Sequence, residues 1–352
     1  VIRPMEDGSF QYVSNTVIPL ENAVEPNWYT ERTAISILTE EERNGLREDA
    51  LALAGADGDI CSKVDGMNAD RYEDAVQFYS AYKEGRDGQV TLYRAYKNGI
   101  FGAITFTYRE GRLQTYFVGI HWNREGKAEV YQTGDGNIVD LNLTKKGYFI
   151  YTNEFTVMHG SLREYFRLKP LPEKCQELTE KYISGLSYVD YELLLNDWDQ
   201  ERIAAYLNTS LFLDIYRMKT GGTPELENGK IPAEIFESVM TEAFPVTVEQ
   251  LRNSCHYEEE SQSYPLERAC SKQFAPFGEV VDYRENGDGT LTLFVEAVWT
   301  DYNTDCAYKN EILVEPIDDG SCRYLSNKVE KTGTDREALA EEGNIILGTN
   351  DY

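Results

Sequence analysis

Glycine-centred turn signals recur through the first half of the chain at Asn98-Gly99, Glu110-Gly111, Glu125-Gly126, Asp135-Gly136 and Lys146-Gly147, with strand-like segments between them. Tyr116, Val118, Ile120 and Trp122 alternate with less apolar neighbours, as a half-buried strand requires. Consecutive hairpins make one continuous sheet, so residues 89–155 read as a meander of six antiparallel strands. The apolar face of that sheet needs a covering layer. The nearest candidate is a helix over about 70–84, where Tyr72, Ala75, Val76, Tyr79 and Tyr82 fall at helical spacing.

A second constraint is an echo between the two ends. Residues 3–17 (RPMEDGSFQYVSNTV) recur as 315–329 (EPIDDGSCRYLSNKV) at a constant offset of 312. The pairs Pro4/Pro316, Asp7/Asp319, Gly8/Gly320, Ser9/Ser321, Tyr12/Tyr324, Ser14/Ser326, Asn15/Asn327 and Val17/Val329 are identical. Each copy reads as a turn at Asp-Gly followed by an alternating strand that closes a sheet. The chain, opening on Val1 and read as a processed or truncated product, is expected to begin where one unit ends and to run through one further unit. Tyr324 should share a face with Ser326 and with Cys322. Cys322 stands where the first copy has Phe10, which marks it as a buried, unpaired small hydrophobe.

Elsewhere, Thr39 with Glu42 forms a capping box for a helix to about residue 55, carrying Leu46, Ala50 and Leu53 on one side. Residues 175–182 and 200–218 look helical, the latter with a stripe of Ile203, Leu207, Leu211 and Ile215. Pro232 suits the first position of a helix through residue 244, and Thr247 with Gln250 caps another ending near 255. Beyond residue 278 strands return, with Leu291, Leu293, Val295, Ala297 and Trp299 apolar at period two. The expected class is α+β: an antiparallel β-meander with helices, followed by a helix-plus-curved-antiparallel-sheet domain. The expected division is a closing strand at 1–17, a meander domain at 18–171, an α+β domain at 172–330 and a loose tail at 331–352.

Charge narrows the partners. With 61 acidic against 34 basic residues and a formal net charge of -27, the chain repels a phosphate backbone, so nucleic acid is not an expected partner. No run approaches the roughly 20 apolar residues that span a bilayer.

Chemistry is sparse. The histidines are His121, His159 and His256, with no HExxH and no paired CxxC, so neither a metal nor a cofactor is expected. Cys255 and His256 are adjacent and would point to opposite faces of a strand, and Ser161 near His159 lacks a nucleophile elbow. The acids Asp57, Asp59 and Asp65 depart from a calcium-loop pattern. No catalytic residue is assigned. Cys255 and Cys270 flank a polar stretch able to fold back as a hairpin, and form the candidate disulfide. The 25 Tyr, 14 Phe and 4 Trp leave one binding device, an aromatic platform for a sugar or a protein partner, with Trp28, Tyr29, His121 and Trp122 as candidates.

The pieces GKIPAEIFESVMTEAF (229–244), EVVDYRENGDGTLTLFVEAVW (279–299) and VEPIDDGSCRYLSNKV (314–329), with the first 17 residues, resemble an uncharacterised family of secreted proteins or lipoproteins from clostridia-like Gram-positive bacteria. The resemblance implies export to the cell surface and carries no activity, cofactor or site. The helix-then-sheet order of 229–329 is also loosely similar to cone-shaped nuclear-transport-factor-like domains, an analogy of fold only. The expected function is a non-enzymatic extracellular or cell-surface binding module. The alternatives are a hydrolase of cell-wall or dietary glycans, and a structural spacer.

Overall fold

A computed structural model describes residues 2–4, 10–12, 36–56, 72–95, 100–154, 163–266 and 275–332. The chain divides into two units, Val1–Ser36 and Ile37–Tyr352. In the first, β1 (Ile2–Pro4) pairs antiparallel with β2 (Phe10–Tyr12) in the register Ile2↔Tyr12, Arg3↔Gln11, Pro4↔Phe10. In the second unit the corresponding pairs are Val314↔Tyr324, Glu315↔Arg323 and Pro316↔Cys322, the same partners displaced by 312. The sequence echo is therefore also an echo of backbone pairing.

The second unit opens with α1 (Glu40–Ala56), whose N-terminus carries the expected capping box: the Thr39 N–H donates to Glu42 at 2.7 Å and the Glu42 N–H to the Thr39 hydroxyl at 3.2 Å. Then come α2 (Tyr72–Lys83) and a six-stranded antiparallel sheet in sequential order, β3 (Gly88–Ala95), β4 (Phe101–Arg109), β5 (Arg112–Trp122), β6 (Ala128–Leu143), β7 (Tyr148–Asn153) and β8 (Arg163–Arg167).

The six-stranded sheet stands, but only five of its strands lie in 89–155. Asp135-Gly136 is not a turn; β6 runs 16 residues straight through it. Gly111, Gly126 and Gly147 turn the chain at φ of 78°, 76° and 92°, whereas Gly136 is extended opposite Thr115, and a Cβ there would lie 2.8 Å from the Thr115 hydroxyl. That glycine serves close cross-strand approach. β6 is long because its halves pair differently: Ala128–Asn137 with β5, and Ile138–Leu143 with β7, with irregularities at Gly119/Ile120 and Ile138/Asp140. The sheet curls into a half-barrel. Arg94 of β3 reaches across to donate to the Tyr165 carbonyl of β8 and covers the Phe166 ring at 4.3 Å.

α2 packs on one face of the sheet, against Val90, Leu92, Phe106, Phe149 and Phe166. Its buried centre is Ala75, Phe78 and Ala81; Tyr72, Tyr79 and Tyr82 flank it, and Val76 is half-buried. The opposite face carries α1 on Phe101, Ala103, Tyr116, Val118 and Ile120.

The second half contains α3 (Glu173–Tyr182), α4 (Thr209–Thr220), β9 (Lys230–Pro232), α5 (Ala233–Ala243), α6 (Val248–Ser254) and β10 (Ser263–Pro265), the last pairing with β9. A four-stranded antiparallel sheet follows: β11 (Phe277–Glu285), β12 (Leu291–Val298), β13 (Tyr308–Pro316) and β14 (Cys322–Lys331). The expected helix at 200–218 is broken. A 3-10 turn (Ile203–Tyr206) ends before Asn208, which caps α4 by accepting from the Leu211 N–H at 2.8 Å. All four stripe residues are nonetheless buried. Pro232 sits one place before its helix, as the N-cap residue of α5.

Tyr324 and Ser326 do not share a buried face. Leu313 pairs with Ser326 and Val314 with Tyr324, so Leu325 is an extra residue, and the shift brings Asn327 to the core in place of Ser326. Asn327 is 1% exposed; its Nδ2 donates to the carbonyls of Asn196 (2.9 Å) and Leu193 (3.3 Å), and its Oδ1 accepts from Asn310 (3.0 Å). Cys322 is buried and a free thiol, its pKa pushed up to about 12 by burial.

The two sheets meet along β7, β8, β11 and β12, where Tyr148, Ile150 and Val298 form a small core with Tyr165 and Phe277. Glu279, 1% exposed, lies within this seam. Arg167 donates to it through Nε at 2.5 Å and Nη2 at 3.3 Å, the Tyr148 hydroxyl donates at 2.9 Å, and the Lys146 ammonium stands 3.7 Å away and 3.1 Å from Glu296. Burial, with Glu279 beside it, raises the Tyr148 pKa, so that hydroxyl remains a donor.

Candidate functional site

Trp28, Tyr29 and Cys270 lie outside the described residues. Cys255 is buried at the end of α6, its sulfur 3.4 Å from the Leu207 carbonyl oxygen. His121 and Trp122 are both at the end of β5, but as strand neighbours they project to opposite sides. Trp122 packs with Leu46 and Val130 in the core under α1, so the two do not form one platform. His121 lies instead beside Tyr131, with ring centroids 5.7 Å apart.

Tyr131 was silent in the sequence, and a bulge explains its role. Gly119 pairs with Gln132 and Ile120 with Val130, which leaves Tyr131 as the extra residue of β6. Its ring swings over Gly119: a Cβ on that glycine would stand 2.7 Å from Tyr131 Cε1 and 3.0 Å from Phe117 Cε1. Only glycine permits the ring to settle there. Phe117, Tyr131 and His121 thus form a ribbon of rings along β5, and Tyr131 remains 44% exposed. Polar groups border it: Glu129 pairs across from His121 and Gln132 from Gly119. Asn123 holds one Glu129 oxygen through a 2.7 Å hydrogen bond. An exposed ring supported from beneath, with hydrogen-bonding side chains at its edge, can stack a flat apolar face and bind hydroxyls around it. A bulged Tyr opposite a strand Gly is a pairing effect across two strands, which periodicity within either one does not reveal.

No helix among the described residues is long and apolar enough to cross a membrane. No curated protein and no solved structure matches the chain. A family model does, over residues 43–341, and it spans both sheets and the ribbon; the chain belongs to that family, described as a family of unknown function (DUF6070).

Proposed function

We propose that the protein is a non-enzymatic binding module, placed outside the cell or at its surface, that takes the ring face of a neutral glycan on the Phe117–Tyr131–His121 ribbon. The observation that carries this reading is the Tyr131 ring laid over Gly119 in a residue that stays 44% exposed. Aromatic faces stack on the C–H face of a sugar, and the flanking Glu129, Gln132 and His121 supply acceptors and donors for hydroxyls. The net charge of -27 selects against anionic polysaccharides.

Retardation in gels containing a neutral β-glucan or mannan tests the reading, with polygalacturonate as the anionic comparison. Tyr131→Ala should weaken binding about 3- to 10-fold, the range of one lost aromatic contact. Gly119→Val should do the same by displacing the ring. Equal retardation of Tyr131→Ala and wild type, or no retardation by any neutral glycan, would discard it. The surface location rests on the family resemblance, and fractionation of producing cells tests it; recovery only in the cytosol would refute that part.

A further inference from the structure

A groove of ≈260 Å³ opens beside the turn between β13 and β14. Its apolar floor is Ile215 and Met218 of α4, Val239 and Ala243 of α5, and Cys322 of β14. Charges of both signs ring that floor. Lys219 is already engaged, 2.5 Å from Glu242 and 3.5 Å from Asp319. Glu180 and Lys181, exposed at the end of α3, also line the groove, and neither has an ion-pair partner among the described residues. The open rim therefore offers one anion and one cation above a hydrophobic surface.

The echo singles out one residue of this wall. Asp319, Gly320, Ser321 and Tyr324 recur as Asp7, Gly8, Ser9 and Tyr12, and the two hairpins share one register. Cys322 is the hairpin-derived wall position that differs, with Phe10 in its place. A thiol leaves room where a phenyl ring would occupy the cavity.

We propose that this groove binds a short apolar peptide by its free termini, and that Cys322 is the residue that opens it. The peptide ammonium meets Glu180, the carboxylate meets Lys181, and the side chains lie on Ile215, Met218 and Val239. Side chains of successive helix residues leave the axis about 100° apart, so Glu180 and Lys181 suit the separated termini of a dipeptide, about 7 Å long when extended, better than the adjacent charges of a single amino acid.

Calorimetric titration of the full chain with Leu-Leu, N-acetyl-Leu-Leu and Leu-Leu amide tests the proposal. Leu-Leu should bind, and each blocked form should bind about 3- to 5-fold more weakly, as expected for loss of one exposed ion pair. Cys322→Phe should abolish binding of all three. Lys181→Gln should weaken Leu-Leu to the level of its amide without lowering the melting temperature. The proposal is overturned if Leu-Leu gives no heat, if the blocked peptides bind as well as the free one, or if folded Cys322→Phe binds normally. Should Cys322→Phe fail to fold, Lys181→Gln decides alone: loss of the preference for a free carboxylate supports the site, and its retention refutes it.

Discussion

The seam between the sheets and the groove beside the hairpin turn use similar groups to opposite ends. In the seam Arg167 and Lys146 meet Glu279 and Glu296; in the groove Lys181 and Lys219 stand among Glu180, Glu242 and Asp319. Exposure separates them. The Glu279 side chain is 1% exposed and Arg167 5%, while Lys219 is 28% and Asp319 44%. A buried carboxylate must keep its partners, because losing one leaves an uncompensated charge in a medium of low polarity. A rim charge is screened by water and can exchange a protein partner for a ligand at little cost. The seam is therefore committed to holding two sheets together, and the groove is free to recognise.

Removing charges from each place should break the symmetry between them. Glu279→Ala should cost about 3–5 kcal/mol in urea unfolding, since Arg167 and the Tyr148 hydroxyl lose their acceptor. Lys219→Ala should cost under about 1 kcal/mol. Similar losses for the two would erase the distinction. The triple replacement Glu279→Leu, Arg167→Met and Tyr148→Phe should recover most of the stability, because it removes the buried donors together with their acceptor while Lys146 keeps Glu296.

A neutral buried network falls between these extremes. Asn327→Ala removes an acceptor from Asn310 and a donor from two carbonyls, for an expected loss of about 1–3 kcal/mol. Ser326→Ala, one residue away and only partly buried, should stay within about 0.5 kcal/mol. Denaturant midpoints of the two variants would show whether the bulge at Leu325 chooses which residue enters the core.

That bulge also marks where sequence reading stopped. Period-two alternation located β5 and β12, and the capping boxes at Thr39 and Thr247 located the starts of two helices, because each signal lies within one segment. The failures required a partner strand or a neighbouring turn. Asp135-Gly136 resembles a hairpin turn until Thr115 is known to face it. Asn208 interrupts a regular apolar stripe by capping rather than continuing it. The ribbon was legible only as His121. Tyr131 joins it through an extra residue opposite Gly119, and Trp122 leaves it by strand parity. The hairpin wall of the groove was visible as a repeat, but its other walls come from helices more than 70 residues away along the chain.

The smallest expected effect concerns an exposed charge that behaves partly like the seam. Glu42 accepts from the Thr39 N–H at the start of α1 and from Arg109 of β4 at 2.9 Å, so it ties the helix to the sheet; Arg109 also donates to the Ile37 carbonyl at 3.1 Å. Arg109 foremost, and then the Thr39 N–H, lower its pKa to about 2. The sign follows from linkage: the folded state holds this proton less tightly than the unfolded chain, so the contribution is complete above the ordinary carboxylate range and disappears as pH falls from about 4.5 towards 2. Its size is limited, because the side chains of Glu42 and Arg109 are 37% and 36% exposed and solvent screens them. In Glu42→Gln the acid limb of the stability profile should flatten in that window, and stability at pH 7 should fall by the same modest amount. Added salt should reproduce part of the loss in the wild type. If Glu42→Gln instead lowers stability at neutral pH as much as Glu279→Ala does, exposure is not what separates structural from recognising charges in this protein.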